Sequence, residues 1–191
     1  EIAAALRAAR PDLVLTTDLI VGFPGETEAD FEQTLSIVVE ARFVDSFSFK
    51  YSPRPGTSAA ELPPTVSPEE AQDRLLRLQA LQSERTLAYH RSRVGQETRV
   101  LVEGASRHGE GQVSGRDPHQ RVVNLDPGPG RALLPGDFVQ ARIVEATPHS
   151  LRAIALPAEG VGPGASVLED GLVGTLEGRG ASRKGPVAAT G

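Results

Sequence analysis

Three stretches of this sequence combine residue types and spacings that could do chemistry. The first is Asp18-Leu19-Ile20-Val21-Gly22-Phe23-Pro24-Gly25-Glu26-Thr27, an apolar run that breaks into a Pro-Gly turn. Glycine at a strand end lets backbone approach a flat ligand closely, and Ile20 and Phe23 could pack on such a ligand. The same residues also suit a tight strand-to-helix turn in which Pro24 and Gly25 serve geometry alone. No Gly-Lys-Ser/Thr follows, so a phosphate-cradling P-loop is not expected. The second stretch is Tyr51-Ser52-Pro53-Arg54-Pro55-Gly56-Thr57, where Arg54 sits between two prolines. A guanidinium there could pair with an RNA phosphate or a ligand carboxylate, or be a solvated loop arginine. The third runs from Gly115-Arg116 to Arg121-Val122-Val123-Asn124. Arg116, Arg121 and Asn124 could hydrogen-bond RNA backbone or base edges, or be ordinary polar residues of a barrel surface.

Other chemistry is excluded by what the chain lacks. With no Cys there is no disulfide, no thiolate zinc site and no iron–sulfur ligation from within the chain. The four histidines (His90, His108, His119 and His149) show no ligand spacing and are expected at the surface. No apolar run reaches about 18 residues, so no membrane span is expected, and a cytoplasmic protein follows. There is no Met, even at position 1, and Glu1 opens inside a helical pattern. The chain is thus expected to be a piece of a longer protein. Charge is uneven: residues 1–91 hold 9 Lys/Arg against 14 Asp/Glu, residues 92–157 hold 8 against 7, and the rest 3 against 4. The middle segment is the least unfavourable for approaching phosphates.

The elements that must position these residues follow from periodicity. Ile2 and Leu6 mark the end of a helix that Pro11 stops. Leu13-Val14-Leu15 and Asp18 to Phe23 read as a nearly continuous strand covered on both faces. Thr27 caps a helix, with Asp30 in the capping-box position, Phe31, Leu35, Val38 and Val39 on one face, and Arg42 closing it. Phe47 to Tyr51 alternates as a strand, with Phe47 and Phe49 expected in the core. Strand, helix, strand is a βαβ unit, expected to cross over right-handedly. A Pro/Gly-rich loop over 52–64 leads to a helix capped by Ser67 and started by Pro68. That helix turns Leu75, Leu78 and Leu81 inward, with Arg74, Arg77, Arg85 and Arg91 on a solvated face or, in the alternative, facing RNA. From Thr98 the period becomes two, with further short strands near 111–114, 121–125, 137–145 and 151–156. Five short strands in so few residues predict a small closed or half-closed barrel. After Pro157 the Gly/Ala-rich sequence predicts disorder.

Several of these segments resemble a known family. Asp18 to Thr27 with Asp30-Phe31 is similar to the GFPGE-bearing signature of radical S-adenosylmethionine (SAM) methylthiotransferases. Tyr51 to Thr57 resembles a loop of the branch that acts on tRNA. Val102-Glu103-Gly104, Gly115-Arg116 and Arg121 to Asn124 resemble its trailing RNA-binding module, TRAM. Small departures occur: Ser58 stands where Pro is usual, Asp117 and Gln120 where Thr and Asn are common, and Leu125 where Phe is.

The resemblance implies an α/β fold followed by an all-β one. Residues 1–91 would be the C-terminal portion of a radical SAM (β/α) barrel with its trailing helix. Residues 92–157 would be an OB-like TRAM β-barrel, and 158–191 a disordered tail. It implies an enzyme that methylthiolates isopentenyladenosine beside the anticodon, using SAM and two 4Fe–4S clusters, and it makes Ile20, Gly22 and Phe23 candidates for holding the SAM adenine. The cluster ligands are absent from this chain, which alone is expected to be inactive. Its partner would be a tRNA anticodon stem-loop, bound by a monomer. The lone barrel aromatic, Phe138, suggests docking onto folded tRNA rather than tight single-strand binding. Rival readings are a sibling acting on threonylcarbamoyladenosine tRNA, one acting on a ribosomal protein, and a free-standing RNA-binding module.

Overall fold

A computed structural model of the chain describes residues 2–107, 109 and 111–157, all within one compact unit, Glu1–Ala158. The expectation of a disordered tail over 158–191 falls outside the described residues.

Helix α1 (Ile2–Ala9) precedes strand β1 (Thr16–Val21). Leu13 to Leu15 are not part of that strand. Helix α2 (Glu28–Glu40) starts on the expected capping box: Thr27 Oγ1 accepts from the Asp30 amide, and the Asp30 carboxylate accepts from the Thr27 amide. Arg42 takes the left-handed conformation (φ 51°) where the chain leaves the helix. Strand β2 (Asp45–Lys50) then pairs parallel to β1, with Ile20 opposite Phe49 and Asp18 opposite Phe47.

Among the described residues the strand is covered on one face only. Leu19 and Val21 turn toward the helices and join Phe31, Val38 and Leu78 in one apolar cluster, while Thr16, Asp18 and Ile20 are exposed. Phe47 (70% exposed) and Phe49 lie on this open face too, which corrects the expectation that they are core. The reason is architectural. Among the described residues α2 and α3 supply cover on one side of a two-stranded sheet, so the alternating aromatics point away from it.

After a loop with a short 3-10 turn over Ser58–Glu61, helix α3 (Pro68–Ser92) starts at Ser67, whose hydroxyl accepts from the Glu70 amide. Its buried residues are Ala71, Arg74, Leu78, Gln82, Thr86 and His90, spaced by three or four and so forming one stripe. Leu75 and Leu81 flank that stripe. The half-polar stripe has partners. Thr86 Oγ1 donates to the Val44 carbonyl (2.9 Å), Gln82 Nε2 to the Phe43 carbonyl (3.3 Å), and His90 Nδ1 lies 2.7 Å from the Thr147 carbonyl.

Gly95 (φ 87°) ends the helical region and donates its amide to the Ile143 carbonyl, leading into the barrel. Strands β3 (Glu97–Ala105), β4 (Val113–Arg116), β5 (Val122–Asp126), β6 (Phe138–Ala146) and β7 (Leu151–Ala155) close in the order β3-β4-β5-β7-β6. Only β5–β7 is parallel. Val100, Val102, Val123, Leu125, Val139, Ala141, Ile143, Leu151 and Ala153 fill the interior. Closure pairs every strand on both sides and leaves no free edge. Gly115 is required where β4 crosses β3: a Cβ there would lie 2.1 Å from the Leu101 carbonyl oxygen.

Candidate functional site

The turn after β1 is held from below. Gly22 (φ 74°) donates its amide to the Glu26 carboxylate at 2.6 Å, and a Cβ on it would meet the Ala71 Cβ at 2.8 Å. Glu26 in turn pairs with Arg74 Nη1 at 2.8 Å, and the same nitrogen donates to the Glu26 carbonyl at 3.1 Å. Glu70 approaches the other guanidinium nitrogen at 2.5 Å, and Glu28 lies 3.5 Å from Nε. Burial opposes charge on Arg74, but hydrogen bonding to Glu26 and the neighbouring carboxylates outweigh it, so its pKa lies above the ordinary value. Arg74 is only 2% exposed, which corrects its expected place on a solvated helix face. Spacing carried the missed signal, since Arg74 stands four residues before Leu78 and shares its face. Arg77 does reach solvent and binds Glu28 and Glu32 of α2.

This anchoring leaves Ile20 and Phe23 exposed at the strand end. Phe23 meets Tyr51 edge-on, with ring centroids 5.1 Å apart. Tyr51 extends the sheet by donating its amide to the Val21 carbonyl (2.8 Å). Beside it, a cleft of about 430 Å³ is lined by Gly22, Tyr51, Pro53, Leu62 and Ala71 among others. Arg54 is exposed in the adjoining loop; its carbonyl accepts from the Thr57 amide and hydroxyl, which shapes the loop. Ile20, Gly22, Phe23 and Arg54 thus all belong to the loops and strand ends on one side of the sheet.

The barrel candidates are not gathered into one patch. Arg116 is half-exposed, with Nε 3.3 Å from Glu103 and Nη1 donating to the Gln120 carbonyl. Arg121 is committed elsewhere: 11% exposed, it pairs with Asp45 at 2.7 Å and so ties the barrel to β2. Asn124 is buried, accepting from Ser106 Oγ (2.9 Å) and donating to Ser150 Oγ (3.3 Å). Two of the three polar side chains that suggested an RNA contact are therefore engaged within the fold, Asn124 inside the barrel and Arg121 between the barrel and β2.

Next to Arg121 lies a cluster that no residue spacing reveals. Asp117 Oδ1 accepts from the His119 and Arg121 amides, closing the β4–β5 turn in which Gln120 is left-handed. Its Oδ2 faces Arg93 Nη1 at 3.1 Å. Arg93 Nη1 also approaches His119 Nδ1 at 2.6 Å, and Tyr89 Oη contacts that same nitrogen. With donors aimed at Nδ1, the imidazole is neutral. Burial and then the Arg93 charge push the His119 pKa below its ordinary value, and burial does the same to His90. His90 and His119 are thus not the surface residues expected.

Metal ligation finds no support here. Among the described residues no group of three or more His, Asp or Glu could hold an ion, and the chain has no Cys. No helix among them is long and apolar enough to cross a membrane.

Comparison with known proteins bears on both regions. Residues 91–156 match the family model of the TRAM domain. The chain is 50% identical over 147 residues to a tRNA-2-methylthio-N(6)-dimethylallyladenosine synthase of Methylobacillus flagellatus, covering 77% of this chain and 33% of that protein. Proteins of the same name from Yersinia enterocolitica (47% over 154 residues; 81% and 32%) and Pelobacter propionicus (49% over 153 residues; 80% and 34%) are similar to it as well. A crystal structure of a multidomain protein with nucleic acid binding domains from Streptococcus pneumoniae aligns over 34% of this chain and 23% of its own, at 17% identity. Its TM-score of 0.27 carries no argument. An aligned length near 150 residues exceeds either region alone, so the synthase match extends over residues of both. The chain spans about a third of the length of the curated relatives it matches, and over that third it is similar to tRNA-2-methylthio-N(6)-dimethylallyladenosine synthases.

Proposed function

We propose that this chain is part of a radical SAM tRNA methylthiotransferase, one that adds a methylthio group to N(6)-dimethylallyladenosine beside the anticodon. About 50% identity, continuous across two differently built regions, carries the reading. In it, residues 1–91 are the C-terminal portion of a (β/α) barrel whose remaining strands cover the open face bearing Ile20, Phe47 and Phe49. Residues 92–157 are the TRAM domain that docks the tRNA anticodon stem-loop, and the enzyme works as a cytoplasmic monomer.

The residues divide the work by chemistry. SAM, with two 4Fe–4S clusters, supplies the radical and methyl chemistry when bound. Cluster ligation does not fit this chain, because thiolates are required and none is present. A SAM adenine fits better. Ile20 and Phe23 offer exposed apolar surface, and Gly22 keeps the backbone low beside it. Glu26 and Arg74 fix that turn from the far side, so the ligand meets a preorganised wall. Arg54, solvated on the same side, pairs with an RNA phosphate, as does Arg116 on the barrel. By itself the chain is inactive.

Mass spectrometry of tRNA nucleosides from cells lacking the gene tests this. The reading expects the 2-methylthio derivative to vanish while N(6)-dimethylallyladenosine accumulates. Loss confined to methylthiolated threonylcarbamoyladenosine would shift the assignment to the sibling activity, and unchanged tRNA would overturn it.

A further inference from the structure

We infer that the outer face of β3, β4 and β6 carries a stacking platform for one unpaired nucleobase of an RNA loop, built on Phe138. This rests on the tRNA-docking reading of the barrel and gives it a location.

The barrel register places Leu101 opposite Phe138 on one side and opposite Arg116 on the other. All three point outward, since their neighbours Val100, Val102 and Val139 fill the core. Phe138 is 59% exposed, a ring that the fold does not need inside. Above it lies Arg99, its guanidinium carbon 3.9 Å from the ring centroid. Glu103 is paired with Arg116 and Glu97 with Arg142, whereas Arg99 has no carboxylate within ion-pair distance among the described residues. The row therefore presents an aromatic face and an aliphatic side chain between two guanidinium groups, one of them without an anion.

The chemistry of this row selects the occupant. A base stacks on an aromatic ring or on a guanidinium plane whatever its sequence, and a free guanidinium beside it reaches the adjoining phosphate. A protein partner would need roughly 800 Å² of buried surface on this side. Leu101 and Phe138 are the apolar pair of this row; Leu134 stands in the turn before β6, and the ion pairs Arg142–Glu97 and Arg152–Glu145 interrupt the apolar surface farther along the strands. A duplex offers no exposed base face and would be held by phosphate contacts alone. The single aromatic that counted against tight single-strand binding is thus suited to one splayed base within a folded RNA.

The chain has no Trp, so Phe138→Trp creates a sole indole reporter on the platform. The full chain and its Phe138→Trp, Phe138→Ala and Arg99→Ala variants are titrated with a short RNA hairpin and with a blunt duplex of the same stem. Because Phe138 and Arg99 lie outside the core, thermal midpoints should hold, which separates binding from folding. The platform predicts that Phe138→Ala weakens hairpin binding by about 5- to 100-fold, that Arg99→Ala weakens it less, and that duplex binding is unmoved. It also predicts quenching of the indole by the hairpin and not by the duplex. Wild-type affinity in Phe138→Ala, with an unquenched indole, overturns the platform and leaves the tRNA reading intact. Failure of the wild-type chain to bind the hairpin overturns the platform and the docking role of the barrel together. An indole shift that follows protein concentration without RNA would make this a self-association surface instead.

Discussion

The two regions of this chain solve the burial problem in opposite ways. The barrel closes on itself around nine buried apolar residues, all supplied by its own strands. The βαβ region packs α2 and α3 on one face of two parallel strands and leaves Ile20, Phe47 and Phe49 open on the other. Its helix interface is also half polar, with Arg74, Gln82, Thr86 and His90 interleaved with Ala71 and Leu78. The difference teaches that the barrel's fold is set by apolar volume. The βαβ region is set by directional bonds, from Arg74 to the strand-end turn and from Gln82 and Thr86 to backbone carbonyls.

The largest effect should come from breaking the buried pair. Arg74→Ala leaves Glu26 enclosed without its partner, which costs about 3–5 kcal/mol and should show in urea unfolding of residues 16–92. Replacing both partners, as Arg74→Met with Glu26→Gln, should recover much of that loss. A double variant as unstable as the single one would mean that the pair is not what fixes the turn. On the barrel side, Gly115→Ala forces a methyl against the Leu101 carbonyl, costing about 1–3 kcal/mol or more. Loss of protection should then be confined to 97–155, and spread into β1 and β2 would contradict the contrast drawn here. Arg121→Ala removes the Asp45 pair between the regions and should cost roughly 1 kcal/mol, read as faster exchange at the β4–β5 turn with little change in either core.

The smallest effect concerns pH. His90 and His119 are held neutral, with folded-state pKa values below the unfolded one. Their contribution is therefore fully present above the unfolded value of about 6.5 and is lost as pH falls from there through the lower folded value. Urea midpoints should decline below that pH, and His90→Gln should flatten the decline. A midpoint that rises on acidification would reverse the sign and refute the burial argument.

Much of this was legible in the sequence, for identifiable reasons. The Thr27 and Ser67 caps were visible because capping depends on residues three apart. The barrel strands were visible because β3, β6 and β7 alternate buried with exposed residues and Gly/Pro turns separate all five. Arg74 reads as a surface residue by its charge, whereas its position in the 74–78–82–86–90 stripe puts it on the buried face. Phe47 and Phe49 were misplaced because alternation reveals that a strand has two faces, not which face is covered. Arg121 and Asn124 looked available for RNA since their partners, Asp45, Ser106 and Ser150, lie far away in sequence. His119 was missed for the same reason, its neighbours Tyr89 and Arg93 coming from α3 and the turn that ends it.

Hydrogen exchange of the intact chain, followed by mass spectrometry with and without an RNA hairpin, tests the contrast most directly. The account predicts that amides of β3 to β7 exchange slowest, as one cooperative group, and slow further with RNA, while β1 and β2 open at lower free energy and ignore it. One shared protection level for both regions, or RNA protection centred on residues 16–50, would contradict it.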